Sequence, residues 1–268
     1  MATPQFFHGH DGLLCDLDGV VYAGAEAIPG AVETLTLLIE AGTPVAFVTN
    51  NASRSPQTVA DHLAELGVPT DAEHVFGSAQ AGVALLQDRV ADGSRVLAVG
   101  SSYLSGLLEA AGYRVVSSAS DRPDAVVQGF DPSVGWSQLA EAAFAVNAGA
   151  VWIATNLDLS IPRGEGIAPG NGALVEAVSH ATATRPVAAG KPEPHLFRTA
   201  ARALGLRRPL VVGDRLDTDI RGGNAAGFDT VMVLTGIDTR EAAEHAPSGD
   251  RPRWIVDDMT ALTAETDR

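Results

Sequence analysis

The 268-residue chain has few of the features that mark secreted, membrane or nucleic-acid-binding proteins. Cys15 is the only cysteine, so an internal disulfide is excluded, which favours a reducing, cytoplasmic location. No apolar run approaches the roughly 20 residues of a membrane helix, and Met1–His10 has no Lys or Arg, so we expect no signal peptide. Lys and Arg number 18 against 33 Asp and Glu, and the net charge of -15 predicts no binding to nucleic acid or anionic membranes.

The remaining composition is typical of a folded protein. Hydrophobic residues make up 46% of the chain and charged residues 19%, which is not the balance of a disordered chain. The length exceeds that of one small domain and is enough for two domains with cores of their own. We therefore expect a globular protein of two domains.

Apolar strands and helices alternate along the sequence. An apolar run at 12–17 is followed by a predicted helix at 30–41, a second apolar run at 44–49 and a helix at 56–66. The alternation continues to the C-terminal part, where 209–213 is a further apolar run. This order predicts an α/β fold with a parallel sheet covered on both faces.

Polar residues follow several of the predicted strands. Asp16, Thr49 and Asp214 each end an apolar run, and Lys191 comes after a short strand that follows Pro186. The carboxyl ends of parallel strands lie at one edge of a sheet, where open α/β sheets bind ligands. We therefore expect these four residues to share one site.

The interval from Thr49 to Lys191 is too long for one connection. It spans 142 positions, whereas a single crossover helix needs far fewer, and it contains several strand–helix alternations of its own. We predict a second domain inserted into the first. The predicted core is 1–79 and 184–268, and the predicted insert is 80–183.

Asp16 and Asp18 lie two positions apart at a strand end. Alternate residues of a strand face the same way, and two close carboxylates repel unless a cation lies between them or one is protonated. Mg²⁺ suits a site with few carboxylates and a phosphate, and Gly19 allows a sharp turn. An ordinary acidic Asp-Gly turn is the alternative.

Two further groups offer donors for a phosphate. Thr49, Asn50 and Asn51 supply hydroxyl, amide and backbone donors, although a helix-entry loop has the same composition. Lys191, next to Pro192, would neutralise a phosphoryl group if the stiff loop positions it. A solvated loop lysine is the alternative.

Three acidic residues follow the strand at 209–213. Asp214 stands at its tip, so it is the better candidate metal ligand. Asp217 and Asp219 fall in the first turn of a helix predicted at 217–226, where the helix dipole favours negative charge. At least one of them is then expected to cap that helix.

Other cofactor motifs are missing from the sequence. No Gly-x-Gly-x-x-Gly follows a strand, Gly190-Lys191 lacks the other residues of a P-loop, and no paired Cys or His has zinc spacing. Dinucleotide, P-loop nucleotide and zinc chemistry are therefore not predicted.

Taken together, the strand-end motifs resemble the signature motifs of the haloacid dehalogenase-like (HAD) superfamily. The residues that match are Asp16-Leu17-Asp18-Gly19-Val20, Thr49-Asn50, Lys191, and Gly213-Asp214 with Asp219. The insert lies where this superfamily carries its type-2 cap. Two runs in it resemble the NagD-like, 4-nitrophenylphosphatase-like branch: Ala154-Thr155-Asn156-Leu157-Asp158 and Pro169-Gly170-Asn171-Gly172. The resemblance implies a Rossmann-like parallel-sheet core with an inserted α/β cap.

The resemblance implies a phosphatase and a role for each core motif. Asp16 would attack phosphorus and form an aspartyl-phosphate. Asp18 would protonate the leaving oxygen and then deprotonate the attacking water. Thr49, Asn50 and Lys191 would hold the phosphoryl oxygens.

The resemblance also implies a magnesium site. Mg²⁺ would be bound by Asp16, by the main-chain carbonyl of Asp18 and by Asp214, and Asp219 would support these ligands from outside. A dehalogenase has no need of Asp18 as a leaving-group acid, so the pair of carboxylates favours phosphate chemistry.

A small phosphorylated metabolite is the implied substrate. We expect glycerol 3-phosphate or a similar short phosphorylated alcohol or acid, with phosphoglycolate, pyridoxal phosphate and nucleoside monophosphates as alternatives. A phosphotransferase or mutase usually carries a helical cap after the first motif, and only 31 positions separate Asp18 from Thr49. A non-catalytic binding domain is disfavoured because every motif keeps its chemistry. A homodimer formed through the cap is a further expectation.

Overall fold

The elements of the fold follow the apolar runs of the sequence in a computed structural model, which describes residues 9–163 and 166–264. The strands are β1 (Leu13–Cys15), β2 (Tyr22–Ala23), β3 (Glu26–Ala27), β4 (Val45–Thr49), β5 (Val75–Gly77), β6 (Arg95–Val99), β7 (Arg114–Val116), β8 (Ala125–Gln128), β9 (Val151–Ala154), β10 (Ser160–Arg163), β11 (Gly166–Pro169), β12 (Val187–Ala188), β13 (Leu210–Gly213), β14 (Asp229–Val233) and β15 (Trp254–Val256). The helices are α1 (Ala31–Glu40), α2 (Pro56–Glu65), α3 (Ser78–Gln87), α4 (Ser102–Ala110), α5 (Trp136–Asn147), α6 (Asn171–Thr182), α7 (Pro194–Ala203), α8 (Arg221–Ala226) and α9 (Arg240–Glu244).

Two compact units divide these elements. The first is taken from Met1–Thr49, Pro56–Phe76 and Lys191–Arg268, as far as these residues are described, and the second from Asn50–Ser55 and Gly77–Gly190. The second unit thus extends a few residues beyond the predicted insert at each end and also includes the segment that follows β4.

The first unit contains a six-stranded sheet with the order β15-β14-β13-β1-β4-β5. β1 pairs in parallel with β13 and β4, and β13, β14 and β15 continue in the same direction. All residues of β1, β4 and β13 are buried, as expected for strands covered on both faces. The predicted α/β fold with a parallel sheet is confirmed.

An apolar cluster joins this sheet to α1 and α2. Leu35 of α1 and Leu63 of α2 are fully buried in it with Leu13 of β1 and Phe47 of β4. Burial of one such side chain contributes about 1.5–3 kcal/mol. The cluster therefore fixes the two strands whose carboxyl ends lead to Asp16 and Thr49.

The second unit contains a five-stranded sheet with the order β12-β9-β8-β6-β7, and all of its pairs are parallel. Separate apolar clusters cover its two faces. One includes Leu86 of α3 and Leu104 of α4, and the other includes Ala142 of α5 and Val175 of α6. β10 and β11 form an antiparallel pair after β9.

Three local features differ from the sequence prediction. The strand after Pro186 was expected in the core, but it is β12, which pairs with β9 in the second sheet, so that expectation is wrong. The helix predicted at 217–226 starts with a π-helical turn, Leu216–Ile220, before α8. The hairpin β2–β3 was not predicted. Gly24, in the turn between these strands, has a positive φ of 67°, as two-residue hairpin turns favour.

Candidate active site

Asp16 is the first residue after β1 and lies at the carboxyl edge of the first sheet. Its N–H donates to the carbonyl oxygen of Val212 at 2.9 Å, which extends the pairing of β1 with β13 by one residue. The residue is 8% exposed. A carboxylate this buried needs nearby cationic or hydrogen-bonding partners.

Lys191 is the principal partner of Asp16. Its Nζ donates to Asp16 Oδ1 at 2.5 Å, to Asp219 Oδ1 at 2.6 Å and to the carbonyl oxygen of Val48 at 3.2 Å. An ammonium group has three hydrogens to donate, so Lys191 can donate one to each of these acceptors. Burial alone would lower the pKa of Lys191, but the two carboxylates outweigh it and raise that pKa well above its usual range.

Asp16, Asp214 and Asp219 form a cluster of buried carboxylates. One carboxylate oxygen from each lies within 4.8 Å of those from the other two. Burial raises the pKa of Asp16, the charge of Asp219 raises it further, and Lys191 opposes both. Burial and Asp219 likewise raise the pKa of Asp214, to about 7.

The cluster has the chemistry of a divalent-cation site. With the three carboxylates ionised, Lys191 leaves two negative charges unbalanced, which is the charge that one divalent cation would neutralise. Asp214 Oδ1 is buried and has no hydrogen-bond partner within the described residues. Oxygen ligands of this kind suit Mg²⁺, so the residues fit the metal that the sequence predicted.

Glycines make room for Asp214. Its Oδ2 accepts a hydrogen bond from the N–H of Ile237 at 2.8 Å. A Cβ atom on Gly236 would lie 1.9 Å from that oxygen, and a Cβ on Gly19 would lie 2.4 Å from it. Gly19 also has a φ of 85°, so this position favours glycine on conformational grounds as well.

The π-helical turn separates the two acidic residues, Asp217 and Asp219, that the helical pattern alone left undecided. Asp219 is 1% exposed and joins the cluster, and its Oδ2 accepts from the hydroxyl of Thr218 at 3.3 Å. Asp217 is exposed and pairs with Arg215 at 3.1 Å. The side chain in the site is therefore Asp219.

The other predicted site residues lie in different surroundings. Asp18 is exposed and its carboxylate is not part of the described cluster, and its backbone bridges to Tyr22. Thr49 ends β4 and is 3% exposed. Asn50 begins the segment that belongs to the second unit, and its Nδ2 donates to Asp158 Oδ1 at 2.9 Å.

Several contacts around these residues were missed from the sequence. The carbonyl of Val48 and the N–H of Ile237 are backbone groups, which no residue-type pattern indicates. The family resemblance of the run 154–158 does not indicate a contact between Asp158 and Asn50. One sequence signal does point to Lys191: it is the only lysine of the chain, and the other 17 basic residues are arginines.

Two family profiles match the chain. The profile of the haloacid dehalogenase-like hydrolases matches residues 13–114. A second, HAD-hydrolase-like profile matches residues 188–262. Neither match covers the middle of the insert, and together the two matches include each of the strand-end motifs.

Characterised proteins of this family resemble nearly the whole chain. D-glycerol 3-phosphate phosphatase of Mycobacterium tuberculosis is 48% identical over 253 residues, which are 94% of this chain and 71% of the relative. A 5'-nucleotidase of Bacillus subtilis is 36% identical, over 94% of this chain and 96% of the relative.

Solved structures agree with the family assignment. The mycobacterial glycerol phosphate phosphatase in complex with magnesium superposes with a TM-score of 0.90 at 48% identity, over 94% of this chain and 76% of that one. A 4-nitrophenylphosphatase from Thermotoga maritima gives a TM-score of 0.85 at 30% identity, over 94% and 96% of the two chains. The chain therefore belongs to the haloacid dehalogenase-like hydrolases, in the branch that includes the 4-nitrophenylphosphatases.

Proposed function

We propose that this protein is a Mg²⁺-dependent phosphatase that hydrolyses a short phosphorylated alcohol, with glycerol 3-phosphate as the first candidate. The observation that carries the proposal is the buried cluster of Asp16, Asp214 and Asp219 around Lys191. Such a cluster supplies a carboxylate nucleophile, a place for a divalent cation and a fixed positive charge in one location. Hydrolysis of a phosphoric monoester through an aspartyl-phosphate uses these three components.

Asp16, Asp214 and the main-chain carbonyl of Asp18 would hold Mg²⁺, with Asp219 beside them. When bound, the ion neutralises charge on the phosphoryl group and on the carboxylates. The buried, unpartnered Asp214 Oδ1 is the atom that would gain most from it. The positive charge of Lys191 opposes the effect of burial on the Asp16 pKa and so favours the ionised carboxylate.

The reaction would proceed by two displacements at phosphorus. In the first, the Asp16 oxygen forms a bond to phosphorus, the bond to the ester oxygen breaks, and Asp18 gives its proton to that oxygen. In the second, Asp18 takes a proton from water, the water oxygen bonds to phosphorus, and the Asp16 carboxylate leaves. Asp18 is exposed, which suits a residue that must exchange protons with substrate and water.

Thr49, Asn50 and Lys191 would bind the non-bridging phosphoryl oxygens. A hydroxyl, an amide and an ammonium group provide neutral and charged donors to an oxyanion. In phosphoryl transfer the protein has little covalent chemistry to perform, so positioning and electrostatic stabilisation of the transition state would supply most of the rate enhancement.

The identity of the substrate rests on the relatives. The glycerol 3-phosphate phosphatase is 48% identical to this chain and the 5'-nucleotidase is 36% identical, so glycerol 3-phosphate is preferred and a nucleoside monophosphate is second. We assign the choice of substrate to the inserted domain, predicted at 80–183, and the chemistry to the core at 1–79 and 184–268.

We further propose a cytoplasmic protein that binds neither nucleic acid nor membranes and that forms a homodimer. The single cysteine and the net charge of -15 support the first two statements. Across residues 9–163 and 166–264, none of the helices has the length and apolar character that crossing a bilayer requires. The dimer rests on family analogy.

A direct assay is release of inorganic phosphate from glycerol 3-phosphate, nucleoside monophosphates and 4-nitrophenyl phosphate, with Mg²⁺ or with EDTA. We expect Mg²⁺-dependent turnover that is lost in Asp16→Asn while the variant still unfolds cooperatively. Asp217→Asn is the matched control, because that aspartate is exposed and outside the cluster. Absence of Mg²⁺-dependent turnover for every ester would refute the proposal.

A further inference from the structure

Asn50 is fixed by hydrogen bonds from distant parts of the second unit. Its Nδ2 donates to Asp158 Oδ1 at 2.9 Å. Its main-chain carbonyl accepts from Ser78 Oγ and from Asn156 Nδ2, both at 2.7 Å. Ser78 and Asn156 are buried. The amide group and the carbonyl of Asn50 therefore both have defined orientations.

The packing around Asn50 leaves no room for another side chain. A Cβ atom on Gly190 would lie 2.4 Å from Asn50 Oδ1 and 2.6 Å from the carbonyl oxygen of Thr155. The N–H of Gly190 donates to that same carbonyl at 2.7 Å. Asn50 is thus confined by close packing as well as by hydrogen bonds.

The loop that carries Asn156 and Asp158 is itself held by the start of α6. Asn171 Nδ2 donates to the carbonyl of Asn156 at 2.8 Å, and the N–H of Gly172 donates to the carbonyl of Asp158 at 2.8 Å. A Cβ atom on Gly172 would lie 2.1 Å from the carbonyl oxygen of Leu157. The run at 169–172 therefore holds the run at 154–158 in place, and the run at 154–158 holds Asn50.

We propose that Asp158 is a positioning residue for phosphate binding, which it controls by setting the orientation of the Asn50 amide. An ionised carboxylate only accepts hydrogen bonds, so the NH₂ group of Asn50 must face Asp158 and the amide plane cannot rotate by half a turn. This inference rests on the proposed phosphatase function and on the role of Asn50 in it.

A purely structural role makes a different prediction. If Asp158 served only to stabilise the loop, its loss would lower the unfolding temperature, and its effect on turnover would add to that of any change at Asn50. If it acts through Asn50, the two effects on kcat/KM must not add.

The test is a double-mutant cycle with 4-nitrophenyl phosphate and Mg²⁺. We expect Asp158→Ala to lower kcat/KM roughly 10- to 100-fold, the range for losing one hydrogen bond to a charged group. In an Asn50→Ala background the same change should have no further effect. Asp158→Asn should recover part of the loss, because an amide oxygen still accepts from Asn50. Asp88→Ala is the matched control, an exposed aspartate of the same unit.

The outcomes separate this inference from the proposed function. A wild-type protein without turnover overturns both. An active wild type in which Asp158→Ala has no effect, or in which its effect adds fully to that of Asn50→Ala, overturns the role of Asp158 alone. If Asp158→Ala shows no cooperative thermal unfolding, the cycle is made with Asp158→Asn, for which we expect a loss of roughly 3- to 10-fold that again disappears in Asn50→Ala.

Discussion

Replacing Lys191 by methionine removes the positive charge at the centre of the buried cluster while keeping most of the side-chain volume. In the structure, Lys191 Nζ bonds two buried carboxylates at 2.5 and 2.6 Å. Deleting one partner of a buried ion pair typically costs about 3–5 kcal/mol. We expect a loss of this size in the free energy of unfolding at pH 8 in EDTA. We also expect loss of turnover, because the phosphoryl group no longer has the positive charge of Lys191 beside it.

The pH dependence of this loss follows from Asp16. Burial and Asp219 already raise the Asp16 pKa and Lys191 opposes them, so in Lys191→Met the folded-state pKa rises further above the unfolded value. The folded state then binds more protons than the unfolded state, and stability falls as the pH increases. The difference between wild type and Lys191→Met should therefore increase as the pH rises.

Urea denaturation in EDTA at several pH values measures this difference. Arg202→Met is the matched control, because Arg202 is an exposed cation of the same unit, and we expect a change within about 0.5 kcal/mol. A Lys191→Met protein as stable as wild type at pH 8, or a loss that does not vary with pH, would refute the assignment of Lys191 as the counter-charge of the cluster.

Two other substitutions test, in turn, the site and an ion pair at the opposite end of the strands. Gly236→Ala should weaken Mg²⁺ binding at least about 10-fold in isothermal titration, because the new Cβ would lie 1.9 Å from Asp214 Oδ2 and the carboxylate must move. Gly249→Ala is the control, since a Cβ there meets nothing within 4 Å, and it should bind Mg²⁺ as wild type does. Equal Mg²⁺ affinities for the two variants would contradict the steric argument. Asp229→Asn should lose about 1 kcal/mol of stability at pH 7, since the hydrogen bond from Arg253 lowers the Asp229 pKa. This stabilisation is present above the pKa of Asp229 in the unfolded chain and disappears as the pH falls through its pKa in the folded protein. A stability difference between wild type and variant that persists unchanged to strongly acidic pH in urea titrations would contradict this prediction.

The sequence was sufficient to predict the sheet that carries the site. β1, β4 and β13 are short runs of apolar residues that end in Asp16, Thr49 and Gly213-Asp214, and such runs are typical of parallel strands buried on both faces. The structure places them side by side, as the prediction required. Apolar patterning is a local property, so it can be read without the fold.

The position of Lys191 shows where local patterning was insufficient. The short strand before it pairs with β9 in the second sheet, so Lys191 does not end a strand of the core. It reaches Asp16 because the chain returns to the first unit at this residue. Which sheet a two-residue strand joins depends on long-range pairing, which its two residues, Val187 and Ala188, do not encode.

The residue pattern alone could not separate Asp217 from Asp219, because both fall in the same predicted helical turn, and only the family resemblance pointed to Asp219. The π-helical turn at Leu216–Ile220 decides between them. The support of Asn50 by Asp158 was also out of reach, because the two residues lie 108 positions apart. Both features depend on backbone geometry and on contacts between remote segments.

The stereochemical course at phosphorus tests the nucleophilic role of Asp16 most directly. The substrate is a phosphate monoester made chiral with the three oxygen isotopes, and its phosphoryl group is analysed after Mg²⁺-dependent transfer to an acceptor alcohol, because hydrolysis to inorganic phosphate would erase the chirality. Each in-line displacement inverts the configuration, so an aspartyl-phosphate on Asp16 predicts net retention. Net inversion would mean that the acceptor oxygen attacks the substrate directly, and it would contradict the assignment of Asp16 as the nucleophile.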